Sequence, residues 1–243
     1  MIRSERENGT LVLTIDRVEQ RNALSNAMYD QLREGLVSAN DDLDCHAVII
    51  TGAGGHFTAG NDLKEFQGER PAGDSPALAF LRTLASVDVS VIAAVEGYAV
   101  GIGVTLLQHC DFVYAGDTAT FSLPFISLAL CPEGGSSLLM ERVVGRRHAA
   151  KWLLLGEKFG AREALDAGLL TSMSQSGCAL DDARRTAAAL CTKPIEALRL
   201  TKRMLREPGR AELMSTFDNE RENFNERLKS DEAQQIFRRF FKR

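Results

Sequence analysis

Leu11, Leu13 and Ile15 fall at every second position behind Asn8-Gly9, and this pattern predicts a hairpin turn feeding a strand. Ser25 is a candidate helix N-cap, after which Met28, Leu32, Leu36, Ala39 and Leu43 share one helical face. The compact apolar run from Ala47 to Thr51, ended by Gly52, predicts the next strand. The unit then recurs: a helical stretch around Ala77 to Leu84, a buried strand Val91 to Val95, a Gly-rich turn into Val104 to Leu107, a strand Phe112 to Ala115, and an apolar stretch from Phe121 to Leu130. Short buried strands alternating with helices imply a layered α/β fold with mostly parallel pairing.

From about Leu180 the texture changes. Glycine nearly vanishes and charged helical patterns run to Arg243, broken by Pro194 and by Pro208-Gly209, so an all-helical tail is expected. Ser230 can cap a last helix with Asp231 and Glu232 in its first turn and Arg238, Arg239 and Lys242 in its last, which matches both ends of the helix dipole. Phe237, Phe240 and Phe241 on that helix need an apolar partner, either the core of the same chain or another subunit.

A hydrophobic share of 44% is enough for a full core. The net charge of −4, with both signs spread along the chain, gives no whole-molecule attraction for nucleic acid. The five cysteines (Cys45, Cys110, Cys131, Cys178 and Cys191) form no C-x-x-C pair and suit free thiols in a reducing compartment. No apolar leader opens the chain and no run approaches 18 apolar residues, so a soluble cytoplasmic protein without membrane contact is expected. The four histidines lack ligand spacing, which argues against a metal site. Gly52-Ala53-Gly54-Gly55 follows a strand, but Phe57 stands where a dinucleotide fingerprint needs its third glycine. His109-Cys110-Asp111 is a triad only on paper, since adjacent side chains point apart.

Three segments place glycine and an unusual polar residue at strand-to-helix junctions: Phe57 to Leu63 (FTAGNDL), Glu96 to Gly103 (EGYAVGIG) and Leu130 to Ser137 (LCPEGGSS). In that order they resemble the signature segments of the crotonase, or enoyl-CoA hydratase/isomerase, family. The likeness extends from Arg21-Asn22-Ala23-Leu24 to the C-terminal helices. The resemblance implies an α/β crotonase spiral of strand-strand-helix repeats over residues 1–190, followed by a helical trimerisation region over 191–243. It also implies a homotrimer or dimer of trimers, an acyl-CoA substrate whose coenzyme A is part of the substrate, and no separate cofactor or metal. By the same resemblance the backbone amides of Asn61 and Ile102 form an oxyanion hole, which Gly60, Gly101 and Gly103 permit by close backbone approach. Ala23, Leu24, Ala59, Gly60, Asp62, Leu63, Gly101 and Phe125 are the implied substrate-binding positions.

Carboxylate placement separates activities within the family. Hydratases use two glutamates, and motif alignment puts Thr105 and Phe125 at those positions, neither able to hold water or move protons as a carboxylate does. Glu133 instead stands where Δ3,Δ2-enoyl-CoA isomerases, the peroxisomal type above all, carry their catalytic glutamate. One carboxylate suffices for a 1,3-proton shift. A helix start beside Glu133 would lower its pKa, whereas apolar neighbours such as Phe125, Leu128 and Leu130 would raise it. The competing readings are another acyl-CoA proton-transfer enzyme, such as an aromatic-catabolism isomerase or, with less support, a hydratase, and a non-catalytic acyl-CoA or RNA binder. Glu133 in an apolar segment argues against an inert binder. The lack of a long basic, aromatic-rich stretch argues against RNA.

Overall fold

Asn8 and Gly9 take positive φ values of 45° and 77°, folding β1 (Ile2–Glu7) antiparallel onto β2 (Thr10–Ile15), as the Asn-Gly pair predicts. The computed structural model describes residues 1–67 and 73–241. From β2 the chain winds through α1 (Asn26–Asp41), β3 (Ala47–Gly52), α2 (Pro76–Ser86), β4 (Ser90–Val95), β5 (Tyr98–Val100), α3 (Ile102–Thr105), β6 (Phe112–Gly116) and β7 (Thr120–Ser122). It continues through α4 (Ser136–Ala150), β8 (Phe159–Gly160), α5 (Ala161–Asp166), β9 (Ser172–Ser174), α6 (Ala179–Cys191), α7 (Ile195–Lys229) and α8 (Asp231–Phe241).

One sheet has the order β1-β2-β3-β4-β6-β9, parallel at every pairing after the first. Each turn of the chain also leaves a second extended segment beside that of the previous turn. Leu24 bridges Asn61, Thr58 bridges Ala99, and β5, β7 and β8 pair in that order. This two-ladder spiral is the crotonase architecture implied by the resemblance, and its second ladder threads two of the signature segments side by side.

Both faces of the large sheet are covered, so β3 and β4 carry continuous apolar runs, Ala47–Ile50 and Val91–Val95, rather than alternating. Val48, Ile50 and Val91 join the main core with Leu32 and Leu36 of α1 and Phe80 and Leu84 of α2. Val12, Ala47, Ile49, Ile92 and Ala94 pack instead with Ala179, Ala183 and Ala187 on one stripe of α6.

Several local expectations need correction. Helix α1 stops at Asp41 because Asp42 is extended (φ −83°, ψ 111°), and Leu43 is 66% exposed rather than on the buried face. Ser25 sits at the N-cap, but its hydroxyl makes no capping bond; its carbonyl accepts from the amides of Met28 and Tyr29. Pro208-Gly209 does not break the tail, since α7 runs through both. A mid-helix proline costs about 3 kcal/mol, and anchors on both sides hold the two halves in line. Lys202 pairs with Asp111 at 2.7 Å and Arg206 donates to the His109 carbonyl at 2.7 Å, while Phe217 and Glu220 are buried beyond the proline.

Ser230 does cap α8, accepting from the Ala233 amide at 3.3 Å. Phe237 finds its partners within the same chain, edge-on to Phe66 with centroids 6.0 Å apart. The side chains of Phe240 and Phe241, together with Lys242 and Arg243, lie outside the described residues.

Candidate active site

Gly60 has φ of 90°, and a Cβ there would lie 2.7 Å from the Val100 carbonyl oxygen, so only glycine lets the first signature segment approach β5 this closely. Thr58 fastens the approach, donating its hydroxyl to the Asn22 carbonyl at 2.7 Å and accepting from the Gly60 amide at 3.0 Å. Leu24 donates to Gly60 and accepts from Asp62. These two flanking bonds turn the intervening Asn61 N–H to the opposite side of its segment. Ile102 begins α3 directly after Gly101 (φ 56°), and the first helical bonds there run from Val104 and Thr105 to the Gly101 carbonyl. The Ile102 amide therefore precedes the helical ladder. With Thr58 bridged to Ala99, Asn61 and Ile102 stand at matching places on adjacent segments.

Glu133 is delivered by two successive left-handed glycines, Gly134 and Gly135, each with φ of 76°. A Cβ on Gly134 would meet the Thr105 hydroxyl oxygen at 3.0 Å, and one on Gly135 would meet Leu213 at 2.6 Å. The turn is also held by side chains. His109 Nε2 contacts the Gly134 carbonyl at 2.8 Å, Gln108 donates to the Ser136 hydroxyl at 2.8 Å, and Ser136 donates to the Glu133 carbonyl at 2.7 Å. Burial pushes the His109 pKa down to about 4, so the ring is neutral at pH 7 and its Nε2–H is the donor. His109 thus serves the turn, while Asp111 faces Lys202 and Arg206, and no triad forms.

The Glu133 carboxylate accepts from the Asn61 side-chain amide at 3.2 Å, and Asn61 Oδ1 in turn accepts from the Tyr29 hydroxyl. Burial, then the nearby charges of Glu133 and Glu65, hold the Tyr29 pKa well above its ordinary value, so the phenol remains a donor. A cavity of about 20 Å³ beside Glu133 is lined further by Ser75, Leu78, Phe217, Glu220 and Phe224, from the start of α2 and from α7. That space holds about one water. The amides of Gly135 and Ser137 that open α4 donate to Glu220, at 2.6 and 2.8 Å.

The other implied positions divide. Asp62 is engaged by Arg17 at 2.8 Å, Leu24 is fully buried, Ala59 donates to the Arg21 carbonyl, and Leu63 is partly buried against the main core. The Ala23 carbonyl accepts from Arg17 at 3.1 Å. Phe125 is 5% exposed; neither it nor Ala23 or Leu24 lines the cavity at Glu133. Three participants escaped the sequence reading: the Asn61 side chain, Tyr29 and Glu220. Glu220 did leave a signal, since it interrupts an apolar stripe three residues after Phe217 and four before Phe224.

Among the described residues no group of three or more His, Cys, Asp or Glu is placed to hold a metal ion, and no helix is long and apolar enough to cross a membrane. A larger hollow of about 320 Å³ is lined in part by α4 and α7, and arginines lining it are already paired, Arg203 with Asp88 and Arg142 with Glu212.

The family described as enoyl-CoA hydratase/isomerase matches residues 5–243. The chain is 35% identical over 222 residues to 2,3-dehydroadipyl-CoA hydratase of Escherichia coli (strain K12), covering 90% of this chain and 87% of that one. It is 32% identical over 234 residues to enoyl-CoA delta isomerase 2 of Rattus norvegicus, covering 93% of this chain but 60% of that longer protein. The solved structure of Pseudomonas aeruginosa OdaA superposes with a TM-score of 0.95 at 39% identity, covering 100% of this chain and 99% of that one. The spiral, the three glycine-bearing segments and these relatives agree: the chain belongs to the crotonase, or enoyl-CoA hydratase/isomerase, family of enzymes acting on acyl-CoA.

Proposed function

We propose that the protein is a Δ3,Δ2-enoyl-CoA isomerase, moving a 3-enoyl-CoA double bond to the 2-trans position. Glu133 takes a proton from C2 of the substrate, the electrons spread over C2 to C4 and the thioester oxygen, and the same carboxyl returns the proton at C4. The amides of Asn61 and Ile102 bind the oxygen as its charge develops, a contribution that strengthens from ground state to transition state. Coenzyme A is carried by the substrate, and the shift is redox-neutral.

The observation that supports this reading above hydration is the placement of carboxylates. Glu133 accepts from Asn61 and borders the cavity, while by motif resemblance the buried Thr105 and Phe125 fall where hydratases carry theirs. Glu220, the other carboxylate at the cavity, already accepts three hydrogen bonds from the start of α4. The name of the rat relative points the same way and that of the Escherichia coli hydratase does not, so the assay decides. Incubation with 3-hexenoyl-CoA should yield the conjugated 2-enoyl product; absence of that product with intact substrate would defeat the assignment. The exposed apolar side chains of Leu200, Met204 and Leu205 on α7 support assembly as a homotrimer or dimer of trimers.

A further inference from the structure

Glu220 comes from α7, 85 residues beyond the turn it serves, and is 5% exposed. Its carboxylate accepts from the Gly135 amide at 2.6 Å, the Ser137 amide at 2.8 Å and the Ser137 hydroxyl at 2.6 Å. A buried carboxylate with three donors is bound to its place. The donors are the amides at the positive end of α4, the group that Glu133, two residues upstream of Gly135, would otherwise meet. Glu133 accepts from the side-chain amide of Asn61.

We infer that Glu220 is a positioning residue for Glu133: it fixes the turn that carries the base and, by taking up the helix-end positive charge, keeps that base a better proton acceptor. This rests on the reading of Glu133 as the base. A glutamate at a bare helix start has its anion stabilised and is a weaker base. A negative charge bound at those amides cancels that effect and adds its own repulsion.

Among the described residues, several other charged groups around the turn are engaged by partners. Arg221, next along α7, is engaged by Asp74 at 3.2 Å and Asp218 at 3.4 Å, and Arg82 of α2 by the same two carboxylates. Arg227 donates to the Ala129 carbonyl and pairs with Glu232. In the turn that follows α3 His109 is neutral, and in the segment just before Glu133 burial pushes the Cys131 thiol up to about 11. Tyr29 on α1 remains protonated, and Glu65 hydrogen-bonds to Asn26 at 2.7 Å. Among the described residues, Glu220 is a charge held directly against the turn itself. Burial raises its pKa, while Ser137 and Gly135 oppose that by hydrogen bonding to the charged form.

The test is Glu220→Gln in the full chain, beside wild type and Glu133→Gln. Three quantities are measured: isomerisation of 3-hexenoyl-CoA against pH, the ¹³C-carboxyl NMR titration of Glu133 assigned by its loss in Glu133→Gln, and the thermal midpoint. Removing the neighbouring charge should move both the acid limb and the Glu133 titration down by about 0.5–1 pH unit. It should lower kcat about 3- to 10-fold with little change in KM. A simple helix cap would lower the thermal midpoint and leave both pH curves in place, and that result in folded protein would overturn the inference.

Glu220→Asp retracts the carboxylate by one carbon and should move the curves the same way by less. If the glutamine variant does not fold, an unmoved titration in the aspartate variant overturns the inference. Wild type without isomerase activity would sink the functional reading. The NMR titration would still decide whether the two carboxylates are coupled.

Discussion

Asn61 donates its side-chain amide to Glu133 Oε1 at 3.2 Å while its Oδ1 accepts the Tyr29 hydroxyl. Tyr29 is 1% exposed and is a donor here, so it fixes which end of the Asn61 amide faces the carboxylate. Asn61→Ala should therefore lower isomerase kcat by roughly 10-fold or more, because Glu133 loses its aim while the Asn61 backbone amide stays. Tyr29→Phe frees the amide to flip; a loss of a few-fold in turnover is expected, with about 1 kcal/mol of stability. Steady-state kinetics and urea unfolding measure both, and unchanged turnover in both variants would remove the pair from the mechanism.

Hydration of 2-enoyl-CoA should be slow. Thr105 is fully buried with its hydroxyl against Gly134, and Phe125 is 5% exposed, so neither hydratase position offers a proton carrier. Losing such groups typically costs 10²- to 10⁴-fold, so crotonyl-CoA hydration should run at roughly one hundredth of isomerase turnover or below. Comparable rates for the two reactions on one preparation would overturn this.

Acid stability should report on His109. Burial, the dominant cause, puts its pKa at about 4 in the folded chain, below the ordinary value of 6.5. Between those values the unfolded chain binds more protons, so stability rises with pH across the window and is lost as pH falls from about 6.5 toward 4. At about 1.4 kcal/mol per pH unit, the loss is on the order of 3 kcal/mol. Between pH 7 and pH 5 about 2 kcal/mol of this should be lost, read from the urea midpoints. His109→Gln, which keeps a donor for the Gly134 carbonyl but cannot titrate there, should flatten the difference.

Much of this was legible because it is local. Asn8-Gly9 specifies its turn by backbone sterics alone, and the apolar runs of β3 and β4 announce strands buried on both faces. Glu133 with its two glycines is likewise a contiguous signal. Groups that meet through the fold were not: Tyr29 reaches Asn61 across 32 residues, and Glu220 reaches Gly135 across 85. The helix start beside Glu133 is legible in the sequence, but no local rule tells that a distant carboxylate occupies the amides of α4. Pro208 misled in the opposite direction, a strong local breaker overridden by the tertiary anchors of Lys202, Arg206 and Phe217.

Glu133→Gln separates chemistry from architecture. The substitution keeps shape and an acceptor for Asn61 but removes the proton acceptor, so isomerisation should fall by at least 10²- to 10⁴-fold. Acyl-CoA binding should change little, because the Asn61 and Ile102 amides are untouched. Stability should also hold, to within about 1 kcal/mol, since the donors that open α4 bind Glu220 rather than Glu133. A purely structural Glu133 would give the reverse pattern, with a lowered thermal midpoint and normal turnover. Turnover, binding by calorimetry and thermal midpoint on one preparation distinguish the two. A variant that isomerises 3-enoyl-CoA at the wild-type rate would rule out Glu133 as the base.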